Sequence, residues 1–235
     1  TFNPANSPSK MVLTVYVDFL SQPARAILAL LYANNVEFEL VETRIMAGAH
    51  KKPEYLKINP LGQIPAITDD DLVMAESQAI LRYICNSRTV ADNWYPKDVK
   101  ERAKCDYYLD FHHNFTRKTA ASIFRHYIIP QMFPQDKNAN IKDLMAALEK
   151  TLGYIETIFL KDNNFLILKD KPTIADLSAY CELIQLYTVN YDFSKHPKIE
   201  AWMKRMAEQD GVKKAHAVFF KVAEKIRASQ KPKLQ

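Results

Sequence analysis

The stretch Asn59-Pro60-Leu61-Gly62-Gln63-Ile64-Pro65-Ala66-Ile67-Thr68-Asp69-Asp70-Asp71-Leu72-Val73-Met74-Ala75-Glu76-Ser77-Gln78-Ala79-Ile80 decides the fold. Two short apolar runs, 64–68 and 71–74, flank the Asp69-Asp70 turn signal and read as a β-hairpin. Glu76-Ser77 then opens a helix over 76–87. Toward the N-terminus, residues 51–58 read as a short helix ended by Asn59-Pro60, and residues 37–43 alternate as a strand. Residues 12–17, Val-Leu-Thr-Val-Tyr-Val, are apolar and β-branched and read as a buried strand. Between those two strands Ser21 caps a helix, with Pro23 in its first turn and Ala26, Ile27, Leu30 and Leu31 at helical spacing. The order is βαβ followed by ββα, a small mixed sheet of thioredoxin type.

Beyond Arg88 the pattern changes. Asn93-Trp94-Tyr95-Pro96-Lys97 reads as a linker, and every long segment after it has helical periodicity. Helices are expected near 98–127, 139–160, 174–189, 196–208 and 213–227, with Pro130 and Pro134 ending the first. Thr173-Ile174-Ala175-Asp176 is a variant capping box. The expected fold class is an α/β thioredoxin-like N-terminal domain, residues 11–88, plus an all-α C-terminal domain, residues 97–228, with tails at 1–10 and 229–235.

Composition narrows the function classes. A chain of 235 residues with 48% hydrophobic and 25% charged residues has the make-up of a globular protein with a real core. Only four glycines speak against Gly-rich phosphate loops. No apolar run reaches the roughly 18 residues of a membrane span, and residues 1–10 have no signal-peptide apolar run, so Met11 reads as the natural start. Three well-separated cysteines without a Cys-x-x-Cys pair fit a reduced, cytoplasmic setting. The net charge of +5 lies largely in the tail from Lys221 to Lys233, which reads as a solvated helix end rather than a nucleic-acid footprint. His112 and His113 are adjacent and point to different helix faces, so no metal site is expected.

The chain resembles the glutathione transferases, and the theta class most. The resemblance is carried by Asp18-Phe19-Leu20-Ser21-Gln22-Pro23-Ala24-Arg25-Ala26, by Asn59-Pro60-Leu61 with Ile64-Pro65-Ala66, and by Glu76-Ser77 with Ala79-Ile80. Trp94-Tyr95-Pro96 and Ala175-Asp176-Leu177 add to it. It runs from about Met11 to about residue 225. The proline segment and the Glu-Ser pair belong to the superfamily, and Ser-Gln-Pro-x-Arg points to theta. The resemblance implies the glutathione transferase fold, glutathione as co-substrate with no metal, a homodimer and small electrophiles as second substrates. Two features differ from the theta pattern. Gly62-Gln63 stand where some members carry paired lysines, and no lid segment is expected after the last helix.

The chemistry that the resemblance implies can be assigned residue by residue. A free thiol with a pKa of about 8.5 is only a few per cent thiolate at neutral pH. The Ser21 hydroxyl would donate a charge-assisted hydrogen bond to the sulfur, and the helix it opens presents a positive dipole end. Lowering the thiol pKa by about 2 units needs roughly 2.7 kcal/mol, within reach of the two together. Taken alone, Ser21 is also an ordinary N-cap. Tyr16, the competing donor, lies inside the first strand and reads as core or support. Pro65 is expected to be cis, which would turn the backbone of Ile64 toward the cysteinyl part of glutathione like an added strand. Ser77 suits the γ-glutamyl carboxylate and Glu76 the ammonium group beside it. His50, with Lys51 and Gln63, would meet the glycyl carboxylate. Arg117 and His113 are the candidates for the electrophile site, expected between the domains against the first long helix; Arg117 either stabilises a leaving anion there or is a surface arginine on an exposed helix face.

Two other functions compete. A thiol transferase or dehydroascorbate reductase would need a cysteine at or beside position 21 for a mixed disulfide, where this chain has Ser21 and Ala24. A non-catalytic glutathione-binding or scaffold protein, like the transferase-like module of elongation factor one gamma, would keep the fold without turnover.

Overall fold

A computed structural model describes residues 12–130, 133–134 and 138–229. Met11, the expected tail 1–10, and residues 230–235 of the expected tail 229–235 lie outside the described residues. The first half builds β1 (Thr14–Val17), α1 (Gln22–Ala33), β2 (Glu39–Glu42), α2 (Pro53–Leu56), β3 (Ala66–Asp69), β4 (Leu72–Ala75) and α3 (Ser77–Ser87). β1 runs parallel to β2 and antiparallel to β3, and β3 pairs antiparallel with β4, giving the sheet order β2-β1-β3-β4. This is the mixed thioredoxin-like sheet expected from the order of elements. The hairpin strands sit one or two residues further on than their apolar runs suggest, because Ile64 and Pro65 precede the ladder.

The second half is helical: α4 (Val99–Asn114), α5 (Thr116–Ile128), α6 (Ile141–Tyr154), α7 (Ile174–Leu183), α8 (Pro197–Ala207) and α9 (Asp210–Ser229). The single helix expected over 98–127 is two. Phe115 leaves helical dihedrals at φ −121° and ψ −74°, and its ring stacks on Phe111 at 4.6 Å. Buried positions run on across the break, from Tyr108 and His112 to Thr116, Thr119 and Ile123, so the periodicity gives no sign of it. α6 widens into a π-turn at Ile155–Phe159, and α7 tightens into a 3₁₀ turn at Ile184–Val189.

α1 is the central strut. Residues Ala24 to Leu31 are all buried, because the helix packs on α3 and on α7 and α9, sharing one core with Val15, Val17 and Ile67 of the sheet. Each buried Leu or Ile contributes about 1.5–3 kcal/mol, so this helix ties the two halves into one core. α9 approaches it closely at Gly211, where an added Cβ would lie 2.4 Å from the Ala29 carbonyl oxygen. At the start of α7 the capping box forms. Thr173 Oγ1 accepts from the Ala175 N–H at 3.2 Å, and the Thr173 N–H donates back to Asp176 at 2.8 Å. Asp176 also accepts from the Leu166 N–H at 2.8 Å and from the Trp202 indole N–H at 2.9 Å, so a fully buried carboxylate has every oxygen engaged.

Candidate functional site

The register of the sheet gathers the expected site residues at one end. Ala66 pairs with Tyr16 on one side and with Ala75 on the other. The loop before Ala66, the end of β1 and the residues after Ala75 therefore lie side by side. β2 ends there too, with the Thr43 N–H donating to the Val17 carbonyl at 2.6 Å. Four segments converge: the turn with Ser21, the loop with His50 and Lys51, the loop with Gln63, Ile64 and Pro65, and the start of α3 with Glu76 and Ser77.

Ser21 is 6% exposed and precedes α1 with extended dihedrals, φ −74° and ψ 121°. Its carbonyl accepts the Arg25 N–H at 3.1 Å, as an N-cap residue should, but its side chain makes no capping hydrogen bond. The turn before it is tied down by Asp18, which accepts from the N–H groups of Leu20 at 2.8 Å and of Ile45 at 2.7 Å. Tyr16 faces the opposite side of the sheet from Val15 and Val17, and its ring meets Tyr55 edge-on at 5.9 Å.

The Ile64–Pro65 peptide bond is cis. Ile64 lies outside the β1–β3 ladder, which ends at Ala66. Just before it, the Gln63 carbonyl accepts from the Tyr55 hydroxyl at 2.5 Å and from Asn59 Nδ2 at 2.9 Å, which fixes the loop while the Gln63 side chain stays exposed. Burial pushes the Tyr55 hydroxyl up to about 12, so it remains a donor. Gly62 has φ +57°, and a Cβ there would meet the His50 carbonyl oxygen at 2.9 Å; this is how the His50 and Gln63 loops come together. Lys51 is exposed, and its Nζ lies 3.5 Å from the Leu61 carbonyl. Nδ1 of His50 is buried with no hydrogen-bond partner among the described residues. Burial, with Lys51 beside it, lowers the pKa of His50 and favours the neutral ring.

Glu76 has φ +69°, a left-handed conformation uncommon for a residue with a side chain. It forms no cap, so Ser77 enters α3 with the first-turn N–H groups of that helix uncapped by a side chain. Beside Ser77, Gln78 is buried and its Nε2 has no partner among the described residues.

Arg117 and His113 line a crevice with Pro23, Ser77 and Gln78, so the structure does bring the expected electrophile residues to the domain boundary. The crevice is about 10 Å³, room for no more than a water molecule. Arg117 is neither a free surface cation nor aimed at open space: its Nη1 donates to Glu182 Oε2 at 2.9 Å. Burial raises the pKa of Glu182, and the Arg117 and Arg25 cations oppose that shift. His112, behind His113, is buried and held down to about 3 by desolvation and by Arg117, so it is neutral. A roomier groove of about 450 Å³ lies on the other side of the Ser21 turn, lined by Phe19, Leu20, Met46, Val218 and Val222.

Several residues that shape the site were given no role from the sequence, Arg25 being quoted there only within the theta motif. Arg25 has no exposed surface; it donates to the carbonyls of Phe19, Leu20 and Cys181 at 3.2, 2.9 and 3.1 Å and stacks on Phe219. Glu182 and Gln185 are buried polar residues of the helical half. The signal for all three was present: a charge or amide inside an otherwise apolar helical run asks for a buried partner. Cys181, whose carbonyl accepts from Arg25, is buried, and its thiol is pushed up to about 12 by desolvation, which leaves it unreactive.

Comparisons with known proteins identify the family. The family model described as the N-terminal domain of glutathione S-transferase matches residues 11–86, and that of the C-terminal domain matches residues 117–210. Glutathione S-transferase T1 of Arabidopsis thaliana is 36% identical over 228 residues, covering 91% of each chain. Glutathione S-transferase theta-1 of Mus musculus is 33% identical, covering 90% of each. Human glutathione S-transferase T1-1 in its apo form superposes with a TM-score of 0.82 at 31% identity, over 92% of this chain and 95% of that one. The human theta-class transferase solved with the glutathione conjugate of 1-menaphthyl sulfate gives the same score at 31% identity, over 96% and 94%. With two domain models matched in order and theta-class relatives aligned along about nine-tenths of its length, the chain belongs to the glutathione S-transferase family and, within it, to the theta class.

Proposed function

We propose that this theta-class transferase binds glutathione across the sheet end and uses the Ser21 hydroxyl to hold its sulfur as thiolate for attack on small electrophiles such as alkyl halides, epoxides and hydroperoxides. The observation that carries the reading is the state of Ser21. It sits at the N-terminus of a twelve-residue helix, and its hydroxyl is not used as the cap. The hydroxyl is therefore available to donate to an anion that the helix end also favours.

The other segments suit the rest of the tripeptide. Ile64, beyond the ladder and before a cis proline, offers its N–H and C=O to the cysteinyl backbone. Ser77 and the first turn of α3 take the γ-glutamyl carboxylate, and Glu76 the ammonium group. The unpartnered His50 Nδ1 takes the glycyl carboxylate, with Lys51 and Gln63 alongside. The groove lined by Leu20, Met46 and Val218 has room for a small apolar electrophile, which the crevice at Arg117 and His113 lacks. The thiol proton leaves to solvent and the thiolate forms the new bond to carbon; a halide departs with the electron pair of the broken bond, whereas an epoxide oxygen keeps that pair, stays on the product and takes a proton from solvent. With a hydroperoxide the sulfur takes one oxygen and an alcohol is released.

Glutathione-dependent turnover of a panel of these electrophiles tests the reading. The wild type should turn over at least one class, and Ser21→Ala should lose about a hundredfold or more in kcat/KM while still binding glutathione. Equal turnover by Ser21→Ala would overturn the serine role. Glutathione binding with no turnover of any class would favour the scaffold reading.

A further inference from the structure

One segment of the helical half holds the Ser21 turn from both sides. Upstream of the serine, Arg25 Nη1 donates to the carbonyls of Phe19 and Leu20, and its Nη2 donates to the Cys181 carbonyl. Downstream, the side-chain amide of Gln22 donates to Oε1 of Gln185. Gln185 donates through Nε2 to Glu182 Oε1 at 2.9 Å, and Arg117 donates to the other oxygen of the same carboxylate at 2.9 Å. Cys181, Glu182 and Gln185 sit at the end of α7 and in the 3₁₀ turn that follows, all of them buried.

A single charge sets the direction of this chain. Both Glu182 oxygens accept, one from Arg117 and one from Gln185, so Gln185 turns its NH₂ toward Glu182 and its carbonyl toward Gln22. Gln22 must then present its own NH₂. Ser21 lies between the two anchors, Arg25 holding residues 19–20 and Gln185 holding residue 22. Because the serine hydroxyl makes no capping bond, its own helix does not fix where it points. The peptide planes on either side do, and a donor to a thiolate tolerates only about 0.5 Å of misplacement.

We propose that Gln185, oriented by Glu182, is a positioning residue for the Ser21 hydroxyl, so that the helical domain sets how strongly the bound thiolate is stabilised. The proposal rests on the serine mechanism given above. It assigns Arg117 a supporting part: it neutralises the carboxylate that orients the amides.

The test is a pH titration of the thiol in the glutathione complex, for Gln22→Ala, Gln185→Leu, the two together and Glu182→Gln, each also made in Ser21→Ala. Gln22 is half-buried at a helix start, so Gln22→Ala reports even where Gln185→Leu fails to fold. Each substitution should raise the bound thiol's pKa by about one unit and lower kcat/KM at neutral pH about tenfold. KM for glutathione should change less than about twofold. The double variant should shift no further than either single one, because the two residues form one link. In Ser21→Ala none of them should add a shift. A lowered thermal midpoint with an unmoved thiol pKa would overturn the proposal, since the link would then be structural only. If Ser21→Ala itself leaves the thiol pKa in place, the serine mechanism fails and the proposal with it. If Ser21→Ala raises the pKa and the Gln22 and Gln185 variants do not, the mechanism stands and the proposal alone falls.

Discussion

Arg25 is a guanidinium with no exposed surface, held by three backbone carbonyls and one aromatic ring. Removing it strands those carbonyls and opens a cavity between α1, α7 and α9, so Arg25→Ala should cost about 3 kcal/mol or more in urea unfolding. Arg25→Lys should recover only part of that, because an ammonium cannot reach in two directions at once. A loss under about 1 kcal/mol for Arg25→Ala would show that the carbonyls find other partners. At this scale the sequence was legible where the chemistry is local. Ser21 at a helix start, Ile64-Pro65 before a strand and Glu76-Ser77 before a helix all announce themselves within a few residues, and the structure places them at one sheet end. That Arg25, Glu182 and Gln185 need buried partners is legible, but which partners they and Arg117 take is not, because those lie far along the chain: Cys181 is 156 residues from Arg25, and Gln185 is 163 from Gln22.

Among elements, the packing of α9 on α1 makes the sharpest prediction. At Gly211 an added methyl would lie 2.4 Å from the Ala29 carbonyl oxygen and 2.8 Å from Ala33. Gly211→Ala must push the helices apart and should cost about 1–3 kcal/mol by thermal or urea unfolding. Gly153, near the end of α6, has nothing within 4 Å of where an added methyl would lie, so Gly153→Ala should instead stabilise by about 0.5–1 kcal/mol through helix propensity alone. The same sign for both would contradict the close approach of α1 and α9. Hydrophobic periodicity found these helices and missed the break between α4 and α5. Period reports which face is buried, and the buried face continues on both sides of Phe115, itself exposed, although the backbone turns there. Local dihedral choice at one aromatic residue leaves no trace in a pattern of faces.

For the whole molecule, two neutral histidines buried in the core link stability to pH. Burial first, then the Arg117 and Arg25 cations, hold His112 and His216 down to about 3. Their folded pKa lies below the unfolded value of about 6.5, so between those limits the unfolded chain binds more protons. Their contribution is complete above about pH 6.5 and is lost as pH falls toward 3, up to about 2 kcal/mol each at pH 5. Urea midpoints at pH 7.5 and 5 should therefore converge in a His112→Gln, His216→Gln double variant and separate in the wild type. Comparing the two proteins isolates the histidines from Asp176 and Glu182, whose burial-raised pKa acts with the opposite sign. Family membership also leads us to propose a homodimer: Val73 on the edge strand β4 and Val99 and Tyr107 on α4 are exposed apolar side chains that such a contact would cover. Light scattering should give twice the chain mass, and a monomer would count against it. The fold as a whole was legible because element order alone distinguishes a βαβ-ββα half from a helical half. How the halves lock together was not, because that is decided by buried polar pairs across the boundary. The most direct test of serine activation is the thiolate absorbance of bound glutathione followed against pH in wild type and Ser21→Ala. The thiol should ionise about 2 units below its free value in the wild type and close to the free value in the variant, with both still binding. An unshifted thiol in the wild type, or an equal shift in both proteins, would contradict it.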